Sequence, residues 1–299
     1  DGGGIRGLSS LLILESVMEK VRDTESLGQI PRPCDYFDLI GGTSTGGIIA
    51  IMLGRLRMTV DECIRAYKEV AQQAFTPKRT AILPARPTGA FSAKALEAAI
   101  KRTIKEHCIN PGCVSRRNAG QNTTETLIFH SVVLAITKAN VDAPPTLFKT
   151  YDTATSLAGC KIWEVARATS AATTFFKSIK VGRDEIEFVD AGFGYNNPCE
   201  ILIEEAERQF PNSSQLRILS IGTGLGDVVT IANSRRSIIN ALKKMASSSN
   251  QVAARLGNKY RNDNRYCRLN VDQGLHDVTL SDWDKASSII SHTAAYISK

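Results

Sequence analysis

Two glycine-flanked elements carry the reactive groups. Gly42-Thr43-Ser44-Thr45-Gly46 follows an apolar run, and Asp190-Ala191-Gly192 follows another. The first reads as a serine elbow in which Ser44 is the nucleophile. The second supplies a carboxylate, Asp190, that would take the serine proton. A third element, Asp1-Gly2-Gly3-Gly4-Ile5-Arg6-Gly7, opens a helical stretch in which Leu11, Leu14, Met18 and Val21 recur at helical spacing. Free backbone N–H groups at that point form an anion cradle, and Gly2, Gly3 and Gly4 are the candidate donors to an oxyanion. Arg6 beside them would either meet a substrate phosphate or brace the loop through a carboxylate.

These groups need particular elements behind them. Tyr36 to Ile40 reads as a buried strand and Gly46 to Leu53 as an apolar helix, so the chain turns sharply at Ser44, with Gly42 and Gly46 small enough to let the backbones pass. Thr59-Val60-Asp61-Glu62 is a capping box that starts another helix. Residues 76 to 91, with three prolines, read as a long loop over the site. A helix near Ser92 to Glu106 follows. Strands are expected at Leu127 to Ile136, Thr146 to Thr150, Ile186 to Val189 and Leu216 to Ile221, with helices at Ile162 to Ala172 and Pro198 to Phe210. Gly222-Thr223-Gly224 reads as a loop at the sheet's end, and Ala246 to Asn250 as a flexible joint. The alternation implies an α/β sheet between helices.

Asp1-Gly-Gly-Gly-Ile-Arg-Gly7, Gly42-Thr-Ser-Thr-Gly46 and Asp190-Ala-Gly192, in that order, resemble the patatin-like phospholipase family. The alanine-rich stretch Ala166 to Ala172 is similar to the segment those enzymes carry between serine and aspartate, with Thr173 where the family usually has proline. Tyr266 to Asp272 and Leu280 to Trp283 resemble the end of the family's catalytic domain, and the fungal members are the most similar. The resemblance implies a three-layer α/β/α fold with a central, mostly parallel sheet. It also implies a lipid acyl hydrolase of phospholipase A type working through a Ser44–Asp190 dyad and an acyl-enzyme. No cofactor is expected, and no metal, since no carboxylate or histidine cluster has ligand spacing. The resemblance spans nearly the whole chain, which is expected to be one catalytic domain over 1–299, cut at its N-terminal edge from a longer protein with fused regulatory domains.

Other readings stand beside it. The order Ser44, Asp190, His276 is that of an α/β-hydrolase triad. Gly2, Gly4 and Gly7 fit G-x-G-x-x-G, with Asp23 or Glu25 near the place of a ribose-binding acid, as in a dinucleotide-binding oxidoreductase. A catalytically silent lipid-binding module is the third.

With 299 residues and 42% hydrophobic content, the chain can bury a substantial core. No apolar run reaches the roughly 20 residues that span a bilayer. Seven scattered cysteines without C-x-x-C suggest free thiols and a cytoplasmic, reducing setting. The net charge is +7, and nine lysines and arginines between 235 and 268 face one acid, Asp263. Such a stretch suits peripheral contact with anionic lipid headgroups, or a solvated surface. No nucleic-acid reader motif accompanies it, and nucleic acid is not expected as a partner.

Overall fold

The computed structural model describes residues 1–76, 91–108, 130–151, 157, 160–173, 175–213, 215–224, 236–275 and 277–299, with the side chains of 236–243 excepted. The expected loop over the site and His276 therefore lie outside the described residues, the loop but for its first and last positions.

The strand His130–Thr137 (β2) shows why the chain folds in layers. It is apolar almost throughout, and its side chains alternate between two cores. Val133 and Ala135 join the large core on one face, with Phe148 and Phe188. Val132, Leu134 and Ile136 join Val189 and Ala191 on the other. On the first face lie the helices Gly7–Thr24 (α1), Thr45–Ala50 (α3), Val60–Ala74 (α4), Ala93–His107 (α5) and Ile162–Thr169 (α6), which supply most of the large core. On the second, Ile201 and Leu202 of the helix Cys199–Gln209 (α8) pack against β2. The result is the three-layer α/β/α fold.

Leu39–Thr43 (β1) lies parallel to β2, pairing Gly42 with Val133 and Thr43 with Leu134. Thr146–Lys149 (β3) and Ile186–Asp190 (β5) both run antiparallel to β2, on opposite edges of it, since Ala135 pairs with Thr146 and with Asp190, and Ile179–Val181 (β4) closes the sheet against β5. Ile218–Ile221 (β6) and Tyr266–Leu269 (β7) form a separate parallel pair. The register of β2 with β5 sets Asp190 opposite Ala135. Ser44, just past the end of β1, and Asp190, at the end of β5, thus meet where β2 passes from Leu134 to Ala135.

Four expectations are corrected. The first strand begins at Leu39, because Pro33–Tyr36 forms a short helix (α2) with proline at its first position. Ala246 to Asn250 is no joint but the middle of the helix Arg236–Lys259 (α9), where Met245, Ala246 and Ser249 are buried. Cys108 is disulfide-bonded, whereas Cys34, Cys63, Cys160, Cys199 and Cys267 are free. The basic stretch is partly neutralised by remote acids: Arg255 pairs with Glu200 at 2.6 Å and Arg268 with Asp1 at 2.6 Å, while Arg265 meets Asp263. The capping box at Thr59 and Glu62 forms as expected, with both bonds present.

Candidate active site

Ser44 stands between β1 and α3 with φ 56° and ψ −124°, a left-handed conformation rare for a residue with a side chain. Such a residue costs on the order of 1–3 kcal/mol, so its surroundings must hold it. The Ser44 N–H donates to Thr169 Oγ1 at 2.8 Å, and the Thr169 hydroxyl donates to the Leu134 carbonyl at 2.7 Å. The Ser44 carbonyl accepts the first helical bond, from Ile48 N–H at 3.1 Å. The two flanking glycines are required by close approach. A Cβ on Gly42 would lie 2.1 Å from the Gly46 carbonyl oxygen, and one on Gly46 would lie 2.6 Å from that of Asp1.

The Ser44 hydroxyl donates to Asp190 Oδ2 at 2.6 Å, which brings together the two residues singled out from sequence. Asp190 Oδ1 accepts the Gly192 N–H at 2.8 Å, and the Asp190 N–H donates to the Ala171 carbonyl at 3.1 Å. The carboxylate is therefore fixed from both sides. Burial disfavours its charged form and raises its pKa to about 7, although the bonds from Ser44 and Gly192 pull the other way. A carboxylate poised there is a far better base than an exposed aspartate.

The glycine loop sits above the elbow, and its amides are not equivalent. The Gly2 N–H already donates to the Asn196 carbonyl at 3.1 Å, so Gly2 is withdrawn from the candidate oxyanion donors and Gly3 and Gly4 remain. All three carbonyls are tied. Gly2 O accepts from Thr223 Oγ1 at 2.8 Å and Asn196 Nδ2 at 3.3 Å; Gly3 O accepts from Arg6 N–H at 3.1 Å; Gly4 O accepts from Thr45 Oγ1 at 3.3 Å and from the Tyr67 hydroxyl. Gly4, at φ 54°, lines the same cavity as Ser44.

Among the described residues Arg6 bonds to no carboxylate, and it is not part of the cavity lining. It is 1% exposed, and its guanidinium donates to backbone carbonyls: Nε to Val278 at 2.8 Å, Nη1 to Gly224 at 3.0 Å, and Nη2 to Val278 again. Burial lowers its pKa to about 10, which leaves it charged. Of the two expected roles these bonds match loop-bracing, through carbonyls rather than a carboxylate.

Beyond the polar end formed by Ser44 and Asp190, the cavity is apolar, walled by Ile48, Val70, Phe75, Phe176, Met245 and Leu280 among others. No histidine lines it among the described residues. His130 is at the far end of β2, its ring against Tyr151 and Phe210. Among the described residues no three His, Cys, Asp or Glu side chains converge on a metal site, and no helix is long and apolar enough to cross a membrane.

Sequence reasoning missed Thr169, Asn196, Thr223 and Tyr67. Each had a visible signal: Thr169 inside the alanine-rich stretch, Asn196 in Asn196-Asn197-Pro198 after the aspartate loop, Thr223 between glycines, and a phenol on the apolar face of α4.

The chain is 29% identical over 239 residues to calcium-independent phospholipase A2-gamma of Mus musculus, covering 75% of this chain and 28% of that protein. It is 26% identical over 324 residues to patatin-like protein 1 of Oryza sativa subsp. indica, covering 92% and 73%. Against phospholipase A I of Arabidopsis thaliana the identity is 27% over 278 residues, covering 75% and 20%. The chain thus spans less than a third of the mouse protein. The model of the patatin-like phospholipase family matches residues 1–203, from the glycine loop through the elbow and the aspartate to α8, and the chain belongs to that family.

Proposed function

We propose that this domain hydrolyses the ester bonds of glycerophospholipids or other acyl lipids through Ser44 and Asp190. The observation that carries the reading is the 2.6 Å Ser44–Asp190 bond at the polar end of an apolar cavity. The acyl chain lies along Ile48, Val70 and Phe176, which presents its carbonyl to Ser44. Ser44 Oγ attacks the carbonyl carbon while its proton passes to Asp190 Oδ2, and the Gly3 and Gly4 amides take the oxyanion. Collapse breaks the ester C–O bond, and the leaving alcohol takes the proton from Asp190. Water then attacks the acyl-serine and gives its proton to Asp190; the fatty acid leaves and Ser44 recovers its hydrogen.

The reading extends to the setting. Lys244 and Lys259 of α9, which have no acid partner among the described residues, suit brief contact with an anionic lipid surface. The free cysteines favour a cytoplasmic compartment, and the Cys108 disulfide is the observation against it. The small share of the mouse and Arabidopsis relatives that the chain spans supports flanking domains.

The test is activity-based labelling with a fluorophosphonate, together with fatty-acid release from phosphatidylcholine vesicles. Wild type is expected to be labelled and to release fatty acid. Ser44→Ala loses both, and Asp190→Asn loses turnover. Unimpaired hydrolysis by Ser44→Ala, or a wild type with neither label nor product, refutes the reading.

A further inference from the structure

Three successive glycines are conformationally permissive, so a cradle made from them has no intrinsic shape. Something outside the loop must hold each peptide plane. For the Gly3–Gly4 plane it is the start of the helical stretch, through Arg6 N–H; for the Gly4–Ile5 plane it is Tyr67 and Thr45, with Ile5 N–H on the Leu280 carbonyl at 2.9 Å. The Gly2–Gly3 plane, whose N–H belongs to the first candidate oxyanion donor, is held from Gly222-Thr223-Gly224, which in the linear sequence reads as a loop at the end of a strand.

Thr223 is 1% exposed, and its hydroxyl donates to Gly2 O at 2.8 Å. Its side chain fills the space beside Gly3 so closely that a Cβ there would lie 2.4 Å from Oγ1. The backbone on either side of Thr223 is bolted down. Gly222 N–H donates to the Leu269 carbonyl at 2.8 Å, the Gly222 carbonyl takes Ser10 Oγ at 2.6 Å, Gly224 N–H goes to Asn270 Oδ1 at 2.9 Å, and the Gly224 carbonyl takes Arg6. A second donor reaches the same oxygen from Asn196, whose Nδ2 is also 2.7 Å from Ser249 Oγ on α9.

In a trans peptide the C=O and N–H point in opposite directions, so two donors on Gly2 O fix the direction of the Gly3 N–H. They also polarise that amide, which makes it a stronger donor. We propose that Thr223, assisted by Asn196, is a positioning residue of the oxyanion hole: its hydroxyl clamps the Gly2 carbonyl and so aims the Gly3 amide at the oxyanion formed on Ser44. This inference rests on the hydrolase reading above and adds to it a residue outside the dyad and outside the glycine loop.

The experiment compares Thr223→Val, which keeps the shape and removes the donor, with Thr223→Ser, which restores the hydroxyl. The readouts are kcat and KM on p-nitrophenyl butyrate, the rate of Ser44 phosphonylation, and the melting temperature. Loss of an oxyanion donor outright costs about 100- to 1,000-fold in kcat, so loss of its aim is expected to cost about tenfold, with KM within about twofold. Phosphonylation slows in parallel, and Thr223→Ser recovers most of both rates. A kcat in Thr223→Val within twofold of wild type, a loss confined to KM, or a Thr223→Ser no faster than Thr223→Val overturns the inference. Where Thr223→Val does not fold, Thr223→Ala carries the same comparison. A wild type that neither turns over nor labels overturns the hydrolase reading and this one together. An active wild type indifferent to Thr223→Val overturns this one alone.

Discussion

Thr169 holds the backbone of Ser44: its Oγ1 accepts the serine's amide hydrogen at 2.8 Å and passes its own hydrogen to Leu134 of β2. A hydroxyl both donates and accepts at one atom, which suits it to this place between the two. Thr169→Val strands the Ser44 N–H in a buried site, which costs about 1–3 kcal/mol. The expected outcome is a lower melting temperature together with a fall in kcat of about tenfold or more, the equivalent of roughly 1.4 kcal/mol in the barrier. Thr169→Ser restores both. Thermal unfolding and ester hydrolysis on the three proteins check this.

Asp190, with its pKa raised to about 7, must be ionised to accept the serine proton. The kcat/KM profile is therefore expected to rise with pH along an acid limb of apparent pKa about 7, and to flatten above it.

The same shift affects stability. Between the unfolded value of 3.8 and about 7, the folded chain holds a proton at Asp190 that the unfolded chain has lost. Its contribution is full below 3.8 and is lost as pH rises through about 7, falling by about 1.4 kcal/mol per pH unit across that window. Asp190→Asn removes this slope, and its melting temperature relative to wild type is expected to be higher at pH 8 than at pH 4. Calorimetry at the two pH values is the measurement.

Ala71 of α4 lines the apolar cavity at 3% exposure. Ala71→Phe places a ring where the acyl chain runs. At about 0.8 kcal/mol per buried methylene, displacing about four of them lowers kcat/KM for dodecanoyl esters by on the order of 100-fold, with acetyl esters close to wild type. A profile unchanged across a p-nitrophenyl ester series refutes this location for the chain.

Arg6 as a brace and Arg6 as a phosphate contact differ in one measurable way. Arg6→Lys presents a point charge that cannot serve Val278 and Gly224 together, and each stranded carbonyl costs about 1–3 kcal/mol. The expected result is a lower melting temperature, with kcat/KM reduced by the same factor for phosphatidylcholine and for a neutral p-nitrophenyl ester. A loss specific to the phospholipid restores the phosphate role.

What the linear sequence disclosed was the part of the site encoded locally. Ser44, Gly42 and Gly46 announce a sharp corner because small residues flank a single hydroxyl, and the alternation of strands with helices announces a sheet layered between helices. What it hid was encoded by distance. The Thr169–Ser44, Asn196–Gly2 and Thr223–Gly2 bonds join residues 125, 194 and 221 positions apart. Counting charges along 235–268 found only Asp263, because Arg255 and Arg268 are matched by Glu200 and Asp1. The serine run at 247–249 reads as flexible since serine competes with helical backbone bonds, yet here Ser248 bonds the Gly194 carbonyl at 2.8 Å and Ser249 the Asn196 amide. Tertiary partners overrode local preference.

Asp1 grips Arg268, and Arg6 reaches Val278, so the opening loop takes its final form only against segments made more than two hundred residues later. On a ribosome adding about 5–20 residues each second, the nucleophile emerges well before its base and longer still before the walls of its cradle. On the hydrolase reading, a nascent or truncated chain that stops short of β7 lacks the partners of that loop and is expected to hydrolyse no ester.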